Sequence, residues 1–267
     1  MSIIYAMSDI HGCYVAMKQA LDHIQLKTAD QLLFVGDYVD GGNESLQVLN
    51  EIMALEQAHP NQVITLLGNH DEWFCNWLFP KNTETFEPSF VDFKTVKSFL
   101  SAAELEEIKD ASRAQVNSSE PISVDELIRL EVVEAVRHQE LFKWLKQKMT
   151  EQRYYERSNQ IYVHAGIDEE AGEYWKQGTM DDIFTGKFPA TTGKFYKDII
   201  SGHIHSEEVA NDNAYLGKVY WDHDNHFFID GHSVTSGIVP ILKYDTENEH
   251  YSSFEMMNGV WTKYRLK

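Results

Sequence analysis

Residues 3–8 (IIYAMS) form a short apolar run that ends in the polar stretch DIHG, the pattern of a buried strand opening into a loop. Residues 13–26 (CYVAMKQALDHIQL) then space their apolar side chains three and four apart, which predicts an amphipathic helix. The alternation continues. LLFV (32–35) predicts a second buried strand ending in GDYVDGG, and residues 44–56 predict a helix. QVITLL (62–67) predicts a third strand ending in GNHDE, with a helix over about residues 71–79. Such alternation builds an α/β fold with parallel strands. Ligands of these sheets collect beyond the carboxyl ends of the strands, where all three polar loops lie.

Residues 80–150 depart from this pattern. Pro80 and Pro88 interrupt it, and FVDFKTVKSFL (90–100), AAELEEIKDASRAQ (102–115) and VDELIRLEVVEAVRHQELFKWLKQKM (124–149) are helical in period and composition. NSSEPI (117–122) reads as a turn between two of them. The segment reads equally as an ordinary helical insertion and as a cap that shapes access to a site. Strand character returns at QIYV (160–163), followed by HAG; residues 168–197 are irregular; DII (198–200) leads into SGHIH. KVYW (218–221), FFID (227–230), IVPILKYD (238–245) and YSSFEMM (251–257) follow as strands expected to pair antiparallel. The whole predicts one α/β domain over residues 1–267, two packed mixed sheets flanked by helices, with residues 80–150 as a helical insertion or cap within it.

The 267 residues are 43% hydrophobic and 12% aromatic, enough to bury a sizeable core. The net charge of −19 repels phosphate backbones and argues against a nucleic-acid partner. No basic patch suits a membrane surface, whereas clustered Asp and His can hold cations. MSIIYAMSDIHG lacks the basic region and long apolar core of a secretory signal, and no stretch approaches the ~20 apolar residues of a membrane span. A soluble, cytoplasmic protein is expected. Two cysteines cannot build a disulfide framework. Cys13 and Cys75 are expected as reduced thiols, with one bond between them as the alternative.

The candidate chemistry lies in five blocks: Asp9-Ile10-His11, Gly36-Asp37-Tyr38-Val39-Asp40-Gly41, Gly68-Asn69-His70-Asp71, His164-Ala165-Gly166 and Gly202-His203-Ile204-His205. One Asp-x-His triplet arises readily by chance; five blocks in order, each after an apolar strand, do not. Carboxylate and imidazole donors suit Mn, Fe, Zn or Ni, and the lack of thiolate argues against a soft-metal site. On these blocks the sequence resembles the calcineurin-like metallophosphoesterases. Within them it is similar to the phosphoprotein-phosphatase branch, which includes bacterial and phage Ser/Thr protein phosphatases and symmetrical diadenosine tetraphosphatases. IDGHSVTSG (229–237) resembles that branch's C-terminal strand pair.

The resemblance implies a metal-dependent phosphoester hydrolase with two divalent ions, Mn first and Fe, Zn or Ni as alternatives. Asp9, His11 and Asp37 would hold the first ion, Asp37 would bridge, and Asn69, His164 and His203 would complete the second. His205 would be a further ligand of the first. His70 would be the general acid that protonates the leaving oxygen, with Asp40 orienting its ring, and the nucleophile would be a metal-bridging hydroxide. The implied substrate is a phosphorylated protein, a small phosphate ester or a dinucleotide. A Ser/Thr protein phosphatase leads, a symmetrical dinucleoside polyphosphate hydrolase is the alternative, and a non-catalytic binding module is the alternative of another class.

The branch carries an Arg after the second Asp of the second block, where this chain has Gly41, and another Arg downstream of HAG, whereas residues 167–200 contain none. Such an Arg grips phosphate oxygens through a planar fork, so the phosphate clamp looks rebuilt while the metal blocks look intact. Arg113, Arg137 and Lys176 are candidate replacements, each of which reads first as a solvated surface charge. Trp175 could stack on a nucleobase or pack in the core, and Tyr38 could line the site or fill space beside it. His223, His226 and His232 read as ordinary polar residues.

Overall fold

The computed structural model describes residues 2–80, 93–114, 122–257 and 260–267. In chain order the strands are β1 (Ile3–Met7), β2 (Gln31–Phe34), β3 (Val63–Thr65), β4 (Tyr154–Arg157), β5 (Gln160–Val163) and β6 (Asp198–Ser201), then β7 (Tyr220–Trp221), β8 (His226–Phe228), β9 (Leu242–Asp245), β10 (His250–Met257) and β11 (Val260–Arg265). Among the described residues they form two sheets, ordered β11-β10-β9-β1-β2-β3 and β4-β5-β6-β8-β7. β1, β2 and β3 are parallel neighbours, and β9 runs antiparallel to β1 on its other side.

The strand period of two decides what each face meets. Ile4, Ala6, Leu33 and Val35 point between the sheets and pack on Tyr162, Ile200 and Phe227 of the second sheet. Ile3, Tyr5, Met7, Leu32 and Phe34 point the other way, into a core shared with the helices. Both faces of β1 and β2 are therefore buried, which is why they read as continuous apolar runs.

The helices over that outer face are α1 (Tyr14–Leu21), α2 (Ser45–Ala58), α3 (Asn69–Leu78), α4 (Phe93–Ser98), α5 (Ala102–Ala114), α6 (Val124–Glu134) and α7 (Gln139–Lys148). The last four belong to the helical insertion. They place Val96, Phe99, Ile108, Val132, Phe142 and Leu145 in the same core as Phe74 and Trp77 of α3. The short helices α8 (Trp175–Gly178), α9 (Asp181–Gly186), α10 (Ser206–Ala210) and α11 (Ser233–Ser236) decorate the second half. No helix among the described residues is long and apolar enough to cross a membrane.

Several sequence expectations are corrected. Of the C-terminal strands expected to pair antiparallel, β7 does so with β8 and β9 with β10, whereas β8 and β9 fall in different sheets, and β8 runs parallel to β6 because the chain between them crosses over through α10 and a turn at Asn213–Tyr215. The helix expected over 124–149 breaks at Ala135, whose ψ of 115° is extended. There Arg137 Nη2 and His138 Nε2 each donate to the Phe99 carbonyl at 2.9 Å, so tertiary hydrogen bonds override local helix propensity. IDGHSVTSG forms a turn and α11, not a strand pair. β4 and β11 escaped prediction because both are edge strands without clean apolar alternation. Residues 90–92 and most of NSSEPI lie outside the described residues.

Leu145→Ala should lower the unfolding free energy by about 2–5 kcal/mol, since the side chain is fully buried in the shared core. Urea unfolding followed by fluorescence and circular dichroism should stay a single transition. A separate transition for the inserted helices would make them an independent folding unit.

Candidate metal centre

β1, β2 and β3 run parallel, so their carboxyl ends open on one side and their loops run together. The Asp9 N–H donates to the Gly36 carbonyl at 3.0 Å, the His11 N–H to Asp37 at 3.0 Å and the Gly12 N–H to Tyr38 at 2.8 Å. Asp9, His11, Asp37, Asp40 and His203 all have left-handed backbone, with φ of 52°, 48°, 57°, 68° and 68°. That region costs an L-residue roughly 1–2 kcal/mol, and strain of this kind concentrates at functional positions. Here it falls on the residues that the motifs single out. The packing around them is close: a Cβ on Gly202 would lie 1.9 Å from Asp9 Oδ2.

Asp37 sits at the middle. Its Oδ2 is 3.7 Å from His11 Nε2 and 3.3 Å from His164 Nε2. His11 Nε2 is also 3.9 Å from Asp9 Oδ1, and His164 Nε2 is 3.0 Å from Asn69 Oδ1. The donor atoms of His11, Asp37 and His70 lie within 4.8 Å of one another, as do those of Asp37, His164 and His203. The His203 N–H donates to both Asp9 oxygens at 3.1 and 3.2 Å.

The ring nitrogens are sorted by the backbone. His11 Nδ1 is 2.9 Å from the Val39 carbonyl and His164 Nδ1 is 2.9 Å from the Val35 carbonyl. A carbonyl only accepts, so each Nδ1 carries a proton and each ring turns its Nε2 inward, that of His164 toward Asn69 Oδ1 and Asp37 Oδ2. Two such imidazoles, the Asn69 amide oxygen and paired carboxylates are a donor set that fits divalent transition-metal ions. Cys13 and Cys75 are free thiols.

Electrostatics point the same way. Burial works to raise the Asp37 carboxyl, but His164, His11 and His70 hold it well below the usual carboxylate range. Burial pushes Asp9 up to about 6, with Asp37 adding to the rise and His164 opposing it. Burial and the Asp9 charge raise Asp230 well above its ordinary value. Burial, reinforced by the His164 charge, lowers His203 to about 4, which keeps its lone pair free. Burial works to lower His164, but the Asp37 and Asp9 charges raise it to about 10; crowded, desolvated carboxylates that draw a proton onto a neighbouring imidazole are complementary to cations.

Asp71 of the third block holds backbone, not metal donors. Its Oδ2 accepts the N–H groups of Asp37 at 2.7 Å and Gly68 at 2.9 Å, and its Oδ1 that of Tyr38 at 2.9 Å. It braces the second and third loops from the first turn of α3. Burial and the Asp37 charge raise its carboxyl to about 7. Tyr38 is a filler: it is fully buried, its hydroxyl accepts the Gly36 N–H at 3.1 Å, and it donates to the Leu66 carbonyl.

His70 Nδ1 is 2.7 Å from Asp40 Oδ2. Burial disfavours the charged ring, but the Asp40 hydrogen bond and the Asp37 charge raise His70 above its ordinary value. Trp73 packs edge-on against the ring at 4.7 Å. Behind Asp40 stands Thr95 of α4, whose hydroxyl donates to Asp40 Oδ1 at 2.8 Å. Its neighbour Lys94 donates to the Gly41 carbonyl at 2.8 Å. Gly41 has φ of 88°, and a Cβ there would lie 2.7 Å from Val234 Cγ2. Val234 thus leaves a side chain at position 41 no room, while Lys94 brings a cation to the same loop from the insertion.

The remaining candidates lie elsewhere. His205, expected at the first ion, stacks on His232 at 3.7 Å, and its donor atoms group with Glu207 and His232. Its Nε2 is 3.9 Å from Asp230 Oδ2. Arg137 pairs with Glu104 at 2.6 Å, Arg113 with Asp110 at 3.0 Å and Lys176 with Glu156. Each of the three is tied to a carboxylate. Trp175 is buried against Tyr154 and cannot stack on a ligand. His226 is buried between Glu169 at 3.1 Å and Asp222 at 3.2 Å, and His223 packs on Trp221.

The two sheets, the parallel loops and the Asp/His centre are those of a metallophosphoesterase. A family model described as calcineurin-like phosphoesterase matches residues 3–207, and the chain belongs to that family. Membership implies divalent metal ions as cofactors, and the donor groups of the centre suit them. It is 44% identical to the symmetrical bis(5'-nucleosyl)-tetraphosphatase of Methylococcus capsulatus over 69 residues, 26% of this chain and 23% of that protein. The symmetrical bis(5'-nucleosyl)-tetraphosphatase of Erwinia tasmaniensis is 44% identical over 68 residues, 25% of this chain and 23% of that protein. The matched stretches span about a quarter of those relatives' length. A protein serine/threonine phosphatase from Saccharomyces cerevisiae shares the fold with a TM-score of 0.54 at 12% identity, over 100% of this chain and 80% of that one. A cold-active protein-tyrosine phosphatase of a psychrophilic Shewanella does so with a TM-score of 0.53 at 14% identity, over 98% and 80%.

Because Asp37 belongs to both donor groups, Asp37→Ala should lose tight binding of two divalent ions together, whereas His203→Ala should weaken one. Metal analysis after dialysis against Mn²⁺ checks this. An Asp37→Ala protein that still carries two tightly held ions would contradict the placement of Asp37.

Proposed function

We propose that this chain hydrolyses phosphate esters or anhydrides with His70 as general acid beside a two-cation centre. Asp9, His11 and Asp37 would hold one ion, and Asp37, Asn69, His164 and His203 the other; His205 stands next to this set through Asp230. The cations supply positive charge for phosphoryl oxygens and lower the pKa of water. The observation that carries the reading is the 2.7 Å His70–Asp40 pair set against a donor cluster whose two groups share Asp37. A module that had lost its chemistry would have no need of that pair.

The pair has a direct chemical use. Nδ1–H is committed to Asp40, so the proton that His70 can give resides on Nε2. Asp40 fixes the ring plane and favours the charged imidazolium, which keeps the proton in place until the leaving oxygen develops charge. The His70 N–H donates to Asp37 Oδ1 at 3.0 Å, so the acid and the shared ligand keep one relative position.

For the substrate we favour a nucleoside polyphosphate. The names of the relatives that match over a quarter of their length support it, whereas the phosphoprotein phosphatases share only the fold. Chelator-stripped protein restored with Mn²⁺ should turn over diadenosine tetraphosphate in strong preference to a phosphothreonine peptide. Preference for the peptide would return the chain to the phosphoprotein phosphatases. His70→Asn should lower kcat by ~10²–10⁴ for phenyl phosphate and far less for 2,4-dinitrophenyl phosphate, whose leaving group needs no proton. Equal losses on both esters would refute the acid role.

A further inference from the structure

Helix α4 belongs to the insertion, yet it reaches the acid pair. Thr95 is fully buried, and its hydroxyl touches Asp40 twice, across 55 residues of sequence. Thr95 Oγ1 accepts the Asp40 N–H at 2.8 Å and donates to Asp40 Oδ1 at 2.8 Å. We infer that Thr95 is a positioning residue for His70, acting through Asp40, so that the insertion completes the acid pair. This rests on the reading of His70 as general acid.

The directions of these hydrogen bonds follow from valence. A backbone N–H can only donate, so it occupies one lone pair of Thr95 Oγ1. The hydroxyl has one proton, and it goes to Asp40 Oδ1. Ser45 Oγ, 3.2 Å away, is then the donor to the second lone pair, and the Thr95 hydroxyl is saturated. The two oxygens of Asp40 thereby acquire different duties: Oδ1 takes the threonine proton and Oδ2 takes His70 Nδ1–H at 2.7 Å. A quarter-turn of the carboxylate would break both. The same hydroxyl also holds the backbone N–H of a residue with φ of 68°, so one group fixes the main chain and the side chain of Asp40.

Thr95 is held in turn. Val96 and Phe99 anchor α4 in the shared core. The Leu46 N–H donates to Ser98 Oγ at 3.1 Å, and Arg137 and His138 both donate to the Phe99 carbonyl at 2.9 Å. Lys94 adds a bond from α4 to Gly41, the residue after Asp40. The pose of the acid is therefore set by packing within the insertion.

The test uses the full chain loaded with Mn²⁺ and three variants, Thr95→Val, Thr95→Ser and His70→Asn, on phenyl phosphate and 2,4-dinitrophenyl phosphate, with metal content measured for each. Removing a group that orients a functional imidazole costs ~10–100-fold in activity. Thr95→Val should lose about that much kcat on phenyl phosphate, little on the dinitrophenyl ester, and should keep its KM and metal content. Thr95→Ser should recover most of the loss. Thr95→Ala serves if the valine variant does not fold. Equal losses on both esters, loss of metal, or no rescue by serine while His70→Asn remains leaving-group-dependent would overturn the inference alone. Equal losses in His70→Asn itself would overturn the acid reading beneath it.

Discussion

A buried carboxylate is tolerable only where opposite charge or hydrogen-bond donors surround it, and the Asp37 carboxylate is surrounded by both. Its Oδ1 accepts the His70 N–H, and its Oδ2 faces His11 and His164. Its backbone is tied to Asp71 through its N–H and to His11 through its carbonyl. The loops that follow β1, β2 and β3 meet there. The left-handed backbone at Asp9, His11, Asp37 and Asp40 is a cost that these contacts must offset, and divalent cations would favour the ionised forms of Asp9 and Asp230 that burial disfavours.

The fold serves this arrangement. Parallel β1, β2 and β3 open at one end, and burial on both faces keeps them from slipping. Helices α4 to α7 share the core beneath the sheet, and α4 reaches back to the His70–Asp40 pair. A segment that reads in the sequence as a cap or a helical insertion thus reaches Asp40 through one threonine and Gly41 through Lys94.

The sequence was informative where chemistry and strand pattern coincide. Asp9, His11, Asp37, Asn69, His164 and His203 stand in short motifs at strand ends, and the structure gathers them from five blocks. Thr95 and Lys94 left no signal because nothing in FVDFKTVKSFL marks a residue that will meet Asp40 from 55 positions away. Asp71 was visible as an acid in the first turn of a helix, a position that favours carboxylates, but its three backbone partners were not. The break at Ala135 and the parallel β6–β8 pair depend on tertiary hydrogen bonds and a crossover that local pattern cannot express. The spacing of His205 gives no sign of its partners in the structure, where its ring stacks on His232 and its Nε2 lies 3.9 Å from Asp230 Oδ2.

The central claim is that Asp37 serves two cation sites at once. Anomalous diffraction from crystals grown with Mn²⁺ tests it most directly. The account expects two separate metal peaks, both ligated by Asp37, with His11 beside one and His164 and His203 beside the other. A single peak, or two peaks of which only one touches Asp37, would contradict it.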